Sequence, residues 1–152
     1  MTLFLQFEIG GHRYLVEARR VAVVLPLPGL KPLPGAPAGV AGVANYQGKP
    51  VPVIDLPELA TGRAAADRLS TRLVLVRYPM KRGERLLGLV AERATSVIRV
   101  DEKAFVSSGI EAAPWLGGVM PAVGALAQRV EIEALLPPDL RAVLFQAVEE
   151  PA

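Results

Sequence analysis

The 152 residues contain no cysteine. Disulfides, thiolate metal sites and cysteine nucleophiles are therefore excluded, and a reducing compartment is the natural setting. There is a single histidine, His12, which follows Gly10-Gly11 in what reads as a hairpin turn. A solvated turn histidine is the simpler reading, and it leaves any hydrolytic scheme with one candidate base. Aromatic residues make up only 5%, too few to stack the bases of a single strand. Charge of one sign is also missing. Seventeen basic residues face 15 acidic ones, net +2, and the basic ones are scattered. That gives no electrostatic footprint for nucleic acid. No apolar run is long enough to cross a bilayer as a helix. The two longest uncharged windows, 32–48 and 112–128, are broken repeatedly by Pro and Gly. The N-terminal MTLFLQFEIGG has neither a basic region nor a small-residue cleavage site, so no secretory leader is expected.

What is present is apolar and heavily punctuated. Half of the chain is apolar (51%) and mean hydropathy is positive, which suggests surface reserved for partners. Fourteen Gly and 14 Pro exceed the ~12% usual for the two together. They separate short apolar runs, a pattern of short strands and tight turns in one domain. Leu3, Leu5, Phe7 and Ile9 alternate with Gln6 and Glu8, a strand with one buried face. Tyr14-Leu15-Val16 returns after the glycines. Residues 17–25 predict a short helical start passing into strand, and 26–37, with five prolines, an irregular connection. Residues 38–44 predict a helical turn. Strands are expected over 72–78, 85–90 and 96–100, with a turn at 81–84. Residues 101–118 read as loop with Trp115-Leu116 buried, and 120–130 as one or two strands. Residues 132–136 and 139–148 read as helical, with Asp139 as cap. Segments 61–71 and 149–152 are polar and expected to be mobile.

The most informative stretch is GKPVPVIDLPEL, residues 48–59. In a strand, Pro50 and Pro52 remove donors from the same edge, while Val51 and Val53 keep theirs on the other. Such a strand pairs fully on one side only and belongs at a rim or beside a bulge. Both of its side-chain faces are apolar and need two coverings: a core, and either a neighbouring subdomain or a partner. Asp55 and Glu58 fit a helix-capping box, with Pro57 in the first turn and Gly62 as stop. They could be misread as an acid–base pair, but no nucleophile, metal ligand or oxyanion donor stands beside them.

From Gly42 to Leu56 the sequence reads GVANYQGKPVPVIDL. It closely resembles the signature of CheW-like chemotaxis adaptors, G-V-x-N-L-R-G-x-x-x-P-V-[IV]-D-L. The resemblance extends over nearly the whole chain. Residues Phe7 to Tyr14 look like the family's first hairpin, and Leu87-Gly88-Leu89-Val90 with Val97-Ile98 like a later segment. It implies an all-β fold of two intertwined five-stranded SH3-like barrels with a few short helices. The first barrel would span about 14–80, the second about 1–13 plus 84–136, and a C-terminal helix about 138–148. It also implies a non-catalytic adaptor without cofactor or metal. Its partners would be the regulatory domain of a CheA-type histidine kinase and the cytoplasmic tip of a chemoreceptor. Its location would be cytoplasmic, at membrane-associated receptor arrays. On this reading Val40, Val43, Tyr46, Gln47 and Val51 lie near the kinase-facing surface. Val21, Val24, Leu25, Leu87, Leu89 and Ile98 would line a receptor groove. For each of these, core filling is the competing explanation.

Two positions depart from the family pattern. Gln47 stands where Arg is usual, and Val23 where an acidic residue is common. Drift and a re-tuned interface both account for the missing charges. The sequence also resembles adaptors of Wsp-type systems, which control cyclic-di-GMP synthesis and surface behaviour. Other function classes fare worse. Ser70 and Ser107-Ser108 sit in no nucleophile elbow, and Gly48-Lys49 runs into a proline, not a phosphate loop. A membrane-surface or self-assembling β-protein without a kinase partner would use the same apolar surface.

Overall fold

The computed structural model of the chain describes residues 1–110, 113–122 and 124–149. Period-two alternation builds β1 (Thr2–Ile9), and Gly10-Gly11, both at positive φ, turn it into β2 (His12–Glu17). A 3-10 turn over Ala18–Arg20 leads into β3 (Val21–Pro26), so the helical start and the strand both occur where expected. Then follow β4 (Val40–Tyr46), β5 (Lys49–Asp55), helix α1 (Leu56–Thr61), β6 (Thr71–Pro79) and β7 (Glu84–Val100). After a loop come β8 (Leu116–Ala122), β9 (Ala125–Val130) and helix α2 (Pro138–Glu149).

The strand β7 organises the molecule. Its first half pairs with β6 (antiparallel) and, from Gly88 to Val90, with β5 (parallel). Its second half pairs with β1. Between them lies a bulge: β1 advances from Gln6 to Glu8 while β7 moves from Ser96 back to Glu92. Arg93 takes a left-handed φ of 51° there, and its N–H donates to the Ser70 carbonyl at 3.0 Å. One barrel therefore comprises β3, β4, β5, β6 and the first half of β7. The other comprises the second half of β7 with β1, β2, β9 and β8, so by its pairing β2 sits with the second barrel and the first half of β7 with the first, across the boundaries expected near 14 and 84. These are two intertwined five-stranded SH3-like barrels, and the first strand completes the second barrel.

Strand alternation sends side chains to three places. Ala44, Val51, Val53, Leu73, Leu75 and Val90 fill the first barrel. Phe4, Leu15, Val100 and Ala127 fill the second. The largest cluster lies between the barrels, with Leu5, Phe7 and Ile9 from β1, Ile54 from β5, and Val74, Val76 and Tyr78 from β6. Helix α2 seals it with Leu144 and Phe145, whose ring centroid is 5.7 Å from that of Tyr78. The second apolar face of β5 is thus covered by the other barrel. Among the described residues its proline half pairs only with β4, and β7 joins from Val53, so the missing donors face no described strand.

Several local expectations change. Residues 40–44, expected as a helical turn, belong to β4, because cross-strand pairing to β5 outweighs the weak preferences of Val, Ala and Gly. The two strands expected at 85–90 and 96–100 are one, since the bulge breaks the alternation that would have joined them. In β1, Leu3 is exposed and Phe4 is buried, because the strand presents a side chain to each barrel face. Helix α2 starts one residue early, at Pro138, leaving Asp139 in its first turn, where it suits the positive end. Segment 62–70 is tied down at both ends. The Asp55 carboxylate accepts from Ala65 N–H at 2.9 Å, and the Thr71 hydroxyl meets both the Ala66 carbonyl and the Glu92 carboxylate. Of residues 149–152, expected as a mobile tail, Glu149 ends helix α2 and 150–152 lie outside the described residues.

Candidate docking surfaces

The signature segment folds into the β4–β5 hairpin. Tyr46 pairs with Lys49 across a two-residue loop, Gln47-Gly48, with φ of 51° and 83°. Two positive φ values are what a tight hairpin of this twist demands, and Gly48 meets them without strain. The Asn45 side chain accepts from Gly48 N–H at 2.9 Å, so the N-x-x-G spacing fixes the turn itself. Gln47 stands exposed at its tip. At the other end Gly42 passes under the connection from β3. Lys31 and Val43 exchange two backbone bonds of 2.8 and 2.9 Å, and a Cβ on Gly42 would sit 2.4 Å from the Lys31 carbonyl oxygen. Only glycine fits.

Asp55 closes the hairpin onto α1. Its carboxylate accepts from Glu58 N–H at 2.9 Å as a helix cap, and from Ala65 N–H with the other oxygen. The capping box is half formed. The Asp55 N–H goes to the Gly39 carbonyl at 2.8 Å, and the Glu58 carboxylate takes Gly39 N–H at 3.2 Å. Both carboxylates are occupied by backbone groups, so the signature aspartate is structural.

The expected kinase-facing residues line β4 and its turn, but on different faces. Val40 and Val43 are half-buried, Tyr46 packs on the first barrel's core, and Gln47 projects freely. Val51 is 2% exposed and offers a partner no surface. Of the expected groove residues, two pairs meet across the sheet: Val21 and Leu87 both flank Val76, and Val24 and Leu89 both flank Val74. Leu87 and Leu89 are buried (0% and 1%), leaving Val21 and Val24 as the half-exposed members. Leu25 packs on the core of the first barrel and Ile98 on that of the second, so the six do not form one surface. Val23 also packs on the first barrel's core, which gives its lost charge a packing reason. The exposed Leu3 and Val97 were not anticipated. They share one face of the β1–β7 pair, and only the bulge-shifted register reveals it.

A second unanticipated feature is Arg129 on β9. Its guanidinium lies 5.2 Å from the Phe4 ring centre and 5.6 Å from that of Phe105. It pairs with Glu17 and, at 3.1 Å, with Glu102. Its Nε lies 3.2 Å from Glu131, an ion pair without hydrogen-bond geometry. Burial raises the Glu131 carboxyl above its ordinary range, and Arg129 opposes that shift. The cluster pins the loop after β7 to the second barrel. Nothing in the sequence spacing of these residues brings them together.

The described residues thus form two interlocked barrels with a turn-tipped hairpin and half-exposed valines on β3 and β4. A family profile described as the CheW-like domain matches residues 3–138, and the chain belongs to that family. It is 24% identical over 140 residues to a chemotaxis protein CheW of Rhizobium meliloti (strain 1021), covering 89% of this chain and 87% of that one. The fold matches the crystal structure of the scaffolding protein TtCheW from Thermoanaerobacter tengcongensis. There the TM-score is 0.76 at 18% identity, over 86% of this chain and 84% of the other. Members of the family are non-catalytic scaffolds of chemotaxis signalling, and this chain is such a scaffold, not an enzyme. Among the described residues no helix is long and apolar enough to cross a membrane.

Proposed function

We propose that the chain couples the regulatory domain of a CheA-type histidine kinase to the cytoplasmic tip of a chemoreceptor. The observation that carries this reading is the signature hairpin. Its sequence is used to build a rigid turn whose tip, Gln47, points away from the barrel, and rigid projecting turns are suited to docking. Val40, Val43, Tyr46 and Gln47 form the kinase side in this reading. Val21 and Val24 contribute to the receptor side, in line across the sheet with the buried Leu87 and Leu89. The pathway is of Wsp type, with cyclic-di-GMP as output; the narrower sequence resemblance supports this assignment. Recruitment to receptor arrays follows from these contacts.

Calorimetry with the purified chain, a cognate kinase regulatory domain and a receptor tip fragment tests the coupling. Binding in the micromolar range to each is expected, about 8 kcal/mol net, which a few apolar anchors supply. No heat with either partner sinks the proposal. Large particles formed by the chain alone, or binding to liposomes, would favour a self-assembling or membrane-surface protein instead. For the output, deleting the gene is expected to change cyclic-di-GMP levels and leave swimming bias unaltered; the reverse result rejects the Wsp assignment.

A further inference from the structure

The β6–β7 turn and the start of α2 enclose an open cleft of about 700 Å³. Pro79, Met80, Pro138 and Ala142 give its lining an apolar part, and among the described residues four cations line it: Lys81, Arg82, Arg85 and Arg141. Among the described residues no carboxylate lines it. Glu84 and Asp139 are sequence neighbours that stand outside the lining. The concentration of charge is local. Without these four, 13 Lys and Arg remain against 15 Asp and Glu, so the rest of the chain is net acidic. Elsewhere Arg19, Arg20, Arg93 and Arg129 each face a glutamate. Lys81, Arg82 and Arg141 make no ion pair among the described residues, whereas Arg85 has an interaction of its own within the chain. The walls are firm. Leu144 and Phe145 hold α2 in the core, and Arg141 N–H donates to the Pro137 carbonyl at 2.9 Å.

We propose that this cleft docks an acidic, apolar-faced segment of a partner protein. Its carboxylates would meet Lys81, Arg82 and Arg141, and an aliphatic side chain would rest on Met80 and Pro138. A concave site in which Lys81, Arg82 and Arg141 make no ion pair among the described residues complements such a segment. A lipid surface would instead call for apolar side chains projecting from a convex face. The cleft also has a definite position. Strands β5 and β7 run parallel and begin at Lys49 and Glu84, so the turns preceding them lie at one end of the first barrel. A partner seated on the Gln47 turn has the cleft on the same end. The inference itself does not depend on which protein that partner is.

The probe is a synthetic amphipathic peptide of about 16 residues with Glu on one face and Leu on the other, paired with a control bearing Gln for Glu. Each is titrated into the isotope-labelled full chain while backbone amide shifts are followed. Saturable shifts confined to residues 79–85 and 138–142 are expected with the Glu peptide. The Gln peptide, high salt and the double variant K81E/R82E are each expected to weaken binding roughly tenfold or more. The double variant changes an exposed turn and leaves the fold intact, and R141E provides a second variant on the opposite wall. No shifts at millimolar Glu peptide would overturn the proposal. So would equal binding of the Gln peptide, undiminished binding by both variants, or capture by phosphatidylglycerol vesicles with no response to the peptide.

Discussion

Asp55 shows how a residue with reactive chemistry can be wholly structural. Each carboxylate oxygen accepts one backbone N–H, from Glu58 and from Ala65, and the side chain is buried. Asp55→Ala is expected to cost about 2–3 kcal/mol in urea denaturation, while Asp55→Asn keeps one acceptor and loses less. The two departures from the family signature should separate in the same assay. Gln47→Arg, at an exposed tip, is expected to move stability by less than about 0.5 kcal/mol. Val23→Glu places a carboxylate against the first barrel's core and is expected to cost about 2 kcal/mol or more. Glu131 adds a pH dependence. Its folded value is raised, chiefly by burial, so folding takes up a proton. Its contribution is free of penalty below the ordinary glutamate value of 4.5, and stability falls as pH rises from there through the folded value. Glu131→Gln should flatten stability over that window when unfolding is measured as a function of pH.

Among the elements, those whose pattern is self-contained were legible. Strand β1, the turn at Gly10-Gly11, the cap at Asp55 and the one-sided pairing of the proline strand each follow from residues close in sequence. What escaped depended on distant partners. Residues 40–44 of β4 read as a helical turn because Ala and Gly carry little strand preference, and only pairing with β5 decides the matter. Strand β7 read as two strands because its bulge answers to β1 on one side and to Ser70 on the other. The candidate site suffered similarly. An apolar residue in a strand shows its alternation but not which barrel lies beyond it, and Leu87 and Leu89 proved to be interior. Helix α2 makes a testable element. Phe145 is buried against Tyr78, and Phe145→Ala is expected to cost roughly 3–5 kcal/mol in denaturant unfolding.

For the whole molecule, the arrangement is two small barrels with a larger apolar cluster between them. The inter-barrel cluster draws on β1, β5, β6 and both helices, so neither barrel carries a sufficient core alone. Unfolding is therefore expected to be a single cooperative transition, with near-UV and far-UV circular dichroism coinciding; two separated transitions would show that the barrels are independent.

That β7 threads both barrels also governs how the chain comes into being. A ribosome delivers β1 about ninety residues ahead of the β7 segment that pairs with it, and until then Leu5, Phe7 and Ile9 are covered only in part, by β2 and then by Ile54, Val74 and Val76. The nascent polypeptide must keep an adhesive ribbon waiting through most of translation. Overproduction would tax holding chaperones first at that N-terminal ribbon, well before any signalling partner is met.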